Sequence, residues 1–103
     1  MDEKDFALRL AQLREKKNVS AREMSLAIGQ NAGYINNIET GKSLPSLPGV
    51  FYICEYLGIT ESDFFDLEMK NPAKLKAIIA DLKYLDDQQL DVIANLIKSL
   101  IKK

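Results

Sequence analysis

The first apolar segment of the chain has the spacing of an amphipathic helix. Phe6, Leu10 and Leu13 recur every three or four residues, which predicts a helix from about residue 4 to residue 17 with these side chains inward. Charged residues between them, including Arg9, are expected on the outer face. Asn18 follows and should end the helix.

A second, shorter helix is predicted directly after this one. Ser20 and Glu23 have the spacing of a capping box, in which each side chain accepts a hydrogen bond from the other residue's backbone amide. The inner face should be formed by Met24, Ala27 and Ile28. Gly29 should end the helix, because glycine adopts the left-handed conformation of a sharp exit.

A third helix is expected almost at once, from Asn31 as its cap to about Thr40. Ile35 and Ile38 have the spacing of core positions in it. Two short helices joined by a glycine-containing turn are the layout of a helix-turn-helix. Many helical bundles contain such turns, so the spacing alone is a moderate signal.

Two further helices complete a predicted five-helix domain over residues 1–68. Helix four follows Pro45 and Ser46 and ends at Gly58, and helix five starts with a capping box at Thr60 and Asp63. One apolar face of helix four is expected to contain Leu47, Val50, Ile53, Cys54 and Leu57.

The remaining residues, 69–103, predict a hairpin of two amphipathic helices. Asn71 and Pro72 begin the first, and Asp86 and Gln89 form a capping box at the start of the second. The apolar stripe of the second helix consists of Leu90, Ile93, Leu96, Ile97, Leu100 and Ile101. These residues are the predicted homodimerisation surface; packing back on the first domain, or lying in a membrane interface, are the alternatives.

Composition favours a non-enzymatic globular protein. Of 103 residues 47% are hydrophobic and 28% are charged, and no run approaches the roughly 20 apolar residues that cross a bilayer. The acidic start of the chain is unlike an export signal, so we expect a cytoplasmic protein. There is no histidine, and Cys54 is expected to be a buried, inert thiol. We therefore expect no enzyme activity, no metal, no cofactor and no small-molecule ligand. The net charge of −1 neither favours nor excludes nucleic acid.

The order and spacing of several short motifs resemble the Cro/repressor, or xenobiotic-response-element, helix-turn-helix family of bacterial and phage regulators. The resemblance covers about sixty residues. Its matching pieces are Leu10-Ala-Gln-Leu-Arg14, Val19-Ser20, Met24-Ser-Leu-Ala-Ile-Gly29, Tyr34-Ile-Asn-Asn-Ile-Glu-Thr-Gly-Lys42, Pro45-Ser-Leu47 and Leu57-Gly-Ile59. It implies an all-α, lambda-repressor-like domain of five helices, whose third helix lies in the DNA major groove.

The resemblance also implies which residues meet DNA. Those expected to face the bases are Gln30, Asn31, Ala32, Gly33, Tyr34, Asn36 and Asn37, and those expected near phosphates are Ser20, Arg22 and Lys42. Tyr34 could donate its hydroxyl to a phosphate, or it could equally cover the edge of the core. Ala21, Ala32 and Gly33 depart from the longer polar residues that relatives often carry there, which weakens the prediction of specific readout.

The family pattern further implies an ion pair between Arg14 and Glu39, tying the first helix to the end of the third. Taken together, the sequence predicts a homodimeric, sequence-specific regulator of double-stranded DNA, with repression by operator occupancy as its mode of action. An adaptor that keeps the fold without reading DNA is the alternative.

Overall fold

A computed structural model describes residues 1–102 of the chain. Within them the structure has seven helices and no strand. The helices are α1 (Glu3–Lys17), α2 (Ala21–Ala27), α3 (Tyr34–Glu39), α4 (Leu47–Leu57), α5 (Glu61–Phe65), α6 (Pro72–Leu82) and α7 (Asp87–Ile101). The chain divides into two compact units, Met1–Ala73 and a second that starts at Lys74. In the described part, no helix is both long and apolar enough to cross a membrane.

Side-chain caps fix where most of the helices begin. A capping box starts α5 at Thr60 and Asp63 and α7 at Asp86 and Gln89, as predicted. At α2 only half of the predicted box forms: Ser20 Oγ accepts from the amide of Glu23 at 2.9 Å. Asp2 also caps the start of α1, and Ser46 caps the start of α4.

The core of the first unit lies where α1, α3, α4 and α5 converge. Leu10, Ile35, Ile53 and Phe64 are fully buried there. The ring of Phe64 packs against that of Phe6 with centroids 4.9 Å apart. The other buried apolar side chains are Leu13, Met24, Ile38, Cys54, Leu57 and Ile59.

Cys54 is a buried free thiol within this core. Burial raises its pKa to about 11, with smaller contributions from the carboxylates of Glu61 and Asp63. Since the thiolate is the reactive form, the cysteine is protected from alkylation and oxidation near neutral pH.

Four side chains lie differently from what the predicted helix faces imply. Ala27 and Leu47, both expected inward, are exposed, Leu47 by 67%. Ser25, which follows Met24 and was given no inward role, is fully buried. The angular spacing of apolar residues thus located the inner faces of α2 and α4 only approximately.

Arg9, expected to point outward, is the fourth of these side chains, and its burial has the largest consequence. Its side chain is buried and donates to three carbonyl oxygens at the end of α5. Nε reaches Phe64 O at 2.7 Å, and Nη2 reaches Asp63 O at 2.7 Å and Asp66 O at 2.8 Å. Burial lowers the pKa of the Arg9 guanidinium, while the carboxylates of Asp66 and Asp63 oppose that shift. Arg9 therefore caps α5 from α1, since a helix leaves its last carbonyls without intrahelical partners.

The second unit contains most of α6 and all of α7. No residue of α7 is buried. The apolar stripe of α7 is exposed at Leu96 (53%), Ile97 (47%) and Leu100 (75%). Leu75, Ile78 and Ile79 of α6 are likewise about half exposed.

Candidate nucleic-acid interface

The helix-turn-helix is formed by α2, the turn of residues 28–33, and α3. Gly29 turns the chain out of α2 with φ +77°, as its predicted role requires. The predicted cap of α3 at Asn31 was wrong, because Gly33 occupies the N-cap position and regular helix begins at Tyr34. Asn31 instead accepts the amide of Gly33 on its side-chain oxygen at 3.1 Å, which closes a local turn.

The first turn of α3 is held by a side chain from α2. Gly33 occupies the N-cap position of α3 and has no side chain with which to cap it. Ser25 supplies the acceptor instead: its Oγ receives the amide of Ile35 at 2.9 Å and donates to Ala21 O at 2.7 Å. Because Ser25 and Ile35 are both fully buried, this link fixes the position of α3 relative to α2.

An ion pair holds the other end of α3. Arg14 Nε lies 2.7 Å from Glu39 Oε2, and Arg14 Nη2 lies 2.9 Å from Glu39 Oε1. Arg14 Nη1 also donates to Val19 O at 2.9 Å, so one guanidinium joins α1, the loop before α2 and the end of α3. The hydrogen bonds that Arg14 donates to the carboxylate of Glu39 raise the pKa of Arg14. The two side chains are only 16% and 11% exposed, and their fork-to-fork geometry is the strong form of this interaction.

Tyr34 contributes to the scaffold more than to the outer face. Its ring packs against the core, and burial raises the pKa of its hydroxyl. The hydroxyl oxygen lies against Gly49 of α4, only 2.5 Å from where a Cβ on that glycine would stand. Gly49 is therefore the small residue that lets α3 approach α4. Tyr34 is half-buried against the core, which agrees with the alternative of covering the core edge, and its expected contact with DNA stays a prediction.

The outer surface of α3 carries two asparagines next to a notch. Asn36 is exposed and Asn37 is half-buried, and the side-chain amide of each is without a hydrogen bond among the described residues. At Gly33, the position of a missing Cβ lies 3.8 Å from both Asn31 Oδ1 and Asn37 Nδ2. Two amide groups thus flank a glycine whose lack of a side chain leaves room between them.

The remaining candidate residues surround this surface. Asn31, Ser20, Arg22 and Lys42 are exposed, and Gln30 and Ala32 are half-buried in the turn. Ser20 Oγ already accepts the Glu23 amide, although its hydroxyl hydrogen can still be donated.

Charge around α3 is sparse. Between residues 20 and 38 the only charged side chains are Arg22 and Glu23. Lys42 lies just beyond α3, and it lines a groove together with Lys4 of α1 and Asn36. The surface therefore offers amides for hydrogen bonding and few cations for phosphates.

Sequence reasoning missed Ser25 and Gly49, which position α3. Each left a weak signal. Ser25 is a small polar residue directly after the predicted core residue Met24. Gly49 lies inside α4, where glycine is unfavourable unless close packing requires it. No cluster of side chains in the described part of the chain could hold a metal ion.

A short helix, a glycine-containing turn and a second helix packed against the first are the layout of a helix-turn-helix domain. A helix-turn-helix domain family matches residues 8–69, which is more than half of the chain. The chain therefore belongs to that family, which indicates a DNA-binding regulator of a class that is typically not enzymatic. No curated protein and no solved structure matches it.

Proposed function

We propose that this protein is a sequence-specific transcriptional regulator of the Cro/repressor kind, which places α3 in the major groove of double-stranded DNA. Asn36 and Asn37 would read base edges, since an asparagine amide can both donate to N7 and accept from N6 of adenine. Arg22, Lys42 and the Ser20 hydroxyl would contact phosphates.

The observation that carries the proposal is the contrast between the two sides of α3. On the inner side, Ser25, Glu39 and Tyr34 fasten the helix to α2, α1 and α4. On the outer side, the amides of Asn36 and Asn37 lie beside the Gly33 notch without hydrogen-bond partners among the described residues. A rigid rod with unpaired amides outward is suited to direct readout, because fixed geometry limits the entropy lost on binding.

Repression by operator occupancy follows if the protein is a homodimer. A dimer presents two copies of α3, and such dimers bind half-sites about 34 Å apart. Residues 69–103 are the proposed dimerisation element, with the α7 stripe from Leu90 to Ile101 as its surface. A dimer on an operator would exclude RNA polymerase from an overlapping promoter.

The test begins with selection of bound duplexes from a random pool, followed by affinity measurements at several salt concentrations. Lys42→Ala should reduce the slope of log affinity against log salt by about one. The matched control is Lys70→Ala, because Lys70 is exposed and belongs neither to the proposed DNA-contacting residues nor to the α7 stripe. If the wild-type protein binds no duplex at low salt, DNA recognition is contradicted and the adaptor alternative is favoured.

Gly33→Ala tests the notch directly. A Cβ there meets Asn31 and Asn37 at an ordinary 3.8 Å, and φ at Gly33 is −95°, so the free protein should fold as before. A base edge that enters the notch would meet the new methyl group, and affinity for the selected duplex should fall by about 1–3 kcal/mol. Asn37→Ala should relax base preference at one position, while Asn95→Ala in α7 should leave it unchanged. If Gly33→Ala binds the selected duplex as tightly as the wild type, the base contacts do not involve the notch.

A further inference from the structure

Asn31 differs from the other asparagines near α3 in how its side chain is held. Its Oδ1 accepts the backbone amide of Gly33 at 3.1 Å, and its backbone carbonyl accepts the amide of Tyr34, also at 3.1 Å. Asn31 is nevertheless exposed. It is therefore an outward side chain with a fixed position, whereas the side-chain amides of Asn36 and Asn37 make no hydrogen bond among the described residues.

The bond to Gly33 also determines which way the Asn31 amide is turned. A backbone N–H can only donate, so the side-chain atom that faces it is the oxygen, and a flipped amide would set two donors against each other. Nδ2 is then the atom left for a ligand, and it has no acceptor among the described residues. Asn31 thus presents a hydrogen-bond donor in a fixed orientation.

This fixed donor is unsuited to adenine, the base that a freely turning asparagine reads best. A bidentate pair with adenine needs the amide oxygen and nitrogen directed together at the base edge, and in Asn31 the oxygen is directed at the backbone. In the major groove guanine and thymine present a carbonyl oxygen, whereas adenine and cytosine present an amino group. A fixed donor complements the carbonyl oxygen and opposes the amino group.

Asn31 lies beside the notch that the proposed DNA contact uses. The position of a missing Cβ on Gly33 is 3.8 Å from Asn31 Oδ1 and 3.8 Å from Asn37 Nδ2, so both side chains border the space that a base edge would enter. We infer that Asn31 donates from Nδ2 to a carbonyl oxygen in the major groove, either O6 of guanine or O4 of thymine. This inference rests on the proposed DNA binding and assigns the class of base at one position of the bound duplex.

Asn31→Asp tests the donor with little change in shape. The carboxylate still accepts the Gly33 amide, and aspartate favours this kind of turn, but an acceptor replaces the Nδ2 donor. Duplexes are selected from a random pool with the wild type and with Asn31→Asp in parallel. At one base pair the preference should change from guanine or thymine to adenine or cytosine, and Asn31→Asp should bind the wild-type duplex about tenfold more weakly.

The matched control for charge is Ser43→Asp, which adds one negative charge at an exposed residue of the loop after α3. It should weaken binding to every duplex alike and leave the base preference unchanged, because repulsion of phosphates is independent of sequence.

Base analogues distinguish the two acceptors with the wild-type protein. 6-Thioguanine and 4-thiothymine, placed in turn at each guanine and thymine of the selected duplex, replace the carbonyl oxygen with sulfur, which is a weaker acceptor. At one base pair the sulfur should reduce affinity about fivefold, and the analogue that does so identifies the base. If that base is guanine, 7-deazaguanine should bind as guanine does, since it lacks N7 and retains O6. These measurements do not depend on how well Asn31→Asp folds.

Three results would overturn the assignment. A wild-type preference for adenine or cytosine at the base pair that Asn31→Asp affects would mean that the amide turns. Equal weakening of every duplex by Asn31→Asp would make Asn31 a phosphate contact, and a loss of affinity with 7-deazaguanine alone would place the donor at N7. Each of these leaves DNA recognition by α3 intact. Failure of the wild type to bind any duplex would instead contradict the proposed function, and this inference with it.

Discussion

The two units of this protein have equally well-defined helix ends but differ in what their helices bury. α5 and α7 each begin at a complete capping box. Phe64 in α5 is fully buried, whereas the fifteen residues of α7 include none that is buried. Caps determine where a helix begins, but tertiary burial provides most helical stability in proteins. The first unit therefore has a core of its own, and we expect the second to depend on what covers its stripe.

Truncating a core side chain should give the largest difference between the two units in the free energy of unfolding. Phe64→Ala is expected to lower the free energy of unfolding by about 3–5 kcal/mol at any protein concentration, since it leaves a cavity in the first unit. The neighbouring Phe65, 47% exposed, is the matched control, and Phe65→Ala should cost much less. Ile97→Ala should destabilise concentrated protein more than dilute protein. Chemical denaturation across a range of concentrations measures all three, and an equal loss for Ile97→Ala at every concentration would show that α7 is buried within one chain.

The buried guanidinium of Arg9 is the next largest expected effect. Arg9→Met keeps an unbranched side chain in the core but removes three hydrogen bonds to carbonyl oxygens at the end of α5. We expect a loss of about 2–3 kcal/mol, because hydrogen bonds to a charged group contribute more than neutral ones and the carbonyls become unsatisfied.

Thermal unfolding checks the Arg9→Met prediction, with Arg22→Met as the control on an exposed arginine. Similar melting temperatures for the two variants would mean that α5 does not depend on Arg9.

The link from Ser25 to α3 should have a smaller effect on stability and a selective effect on DNA binding. Ser25→Ala leaves the buried amide of Ile35 without its acceptor, at a cost of about 1–2 kcal/mol. Because this amide lies in the first turn of α3, binding to the selected duplex should weaken even where the protein is fully folded. Amide hydrogen exchange at Ile35 and duplex affinity are the measurements. Ser62→Ala, an exposed serine in α5, is the control, and unchanged protection of Ile35 would contradict the assignment.

Local signals in the sequence predicted the helices well. Ser20, Thr60 and Asp86 cap the helices that they were expected to cap, since a cap depends on residues three positions apart. The start of α3 was misplaced for a reason equally local. Asn31 and Gly33 form a hydrogen-bonded turn of their own, and this turn competes with helix for the same backbone groups.

Polar residues with distant partners could not be predicted from periodicity. Arg9 was assigned to the solvent because it is charged, yet its acceptors lie more than fifty residues away in sequence. Ser25 likewise meets Ile35 only once α2 and α3 are packed together. The pairing of Arg14 with Glu39 came from family resemblance, which carries information about contacts that a single chain's spacing does not.

The contact between Tyr34 and Gly49 gives the smallest effect and tests how closely the first unit is packed. Gly49→Ala should gain up to about 1 kcal/mol from helix propensity, but its methyl group would meet the Tyr34 hydroxyl, so the net change is expected to be near zero or unfavourable. In a Tyr34→Phe background the hydroxyl is gone, and the same substitution should be more favourable by about 0.5–1 kcal/mol. A double-mutant cycle on the free energy of unfolding measures this coupling. Additive effects would mean that α3 can shift away from α4, and α3 would then be less rigid than its proposed role in the major groove requires.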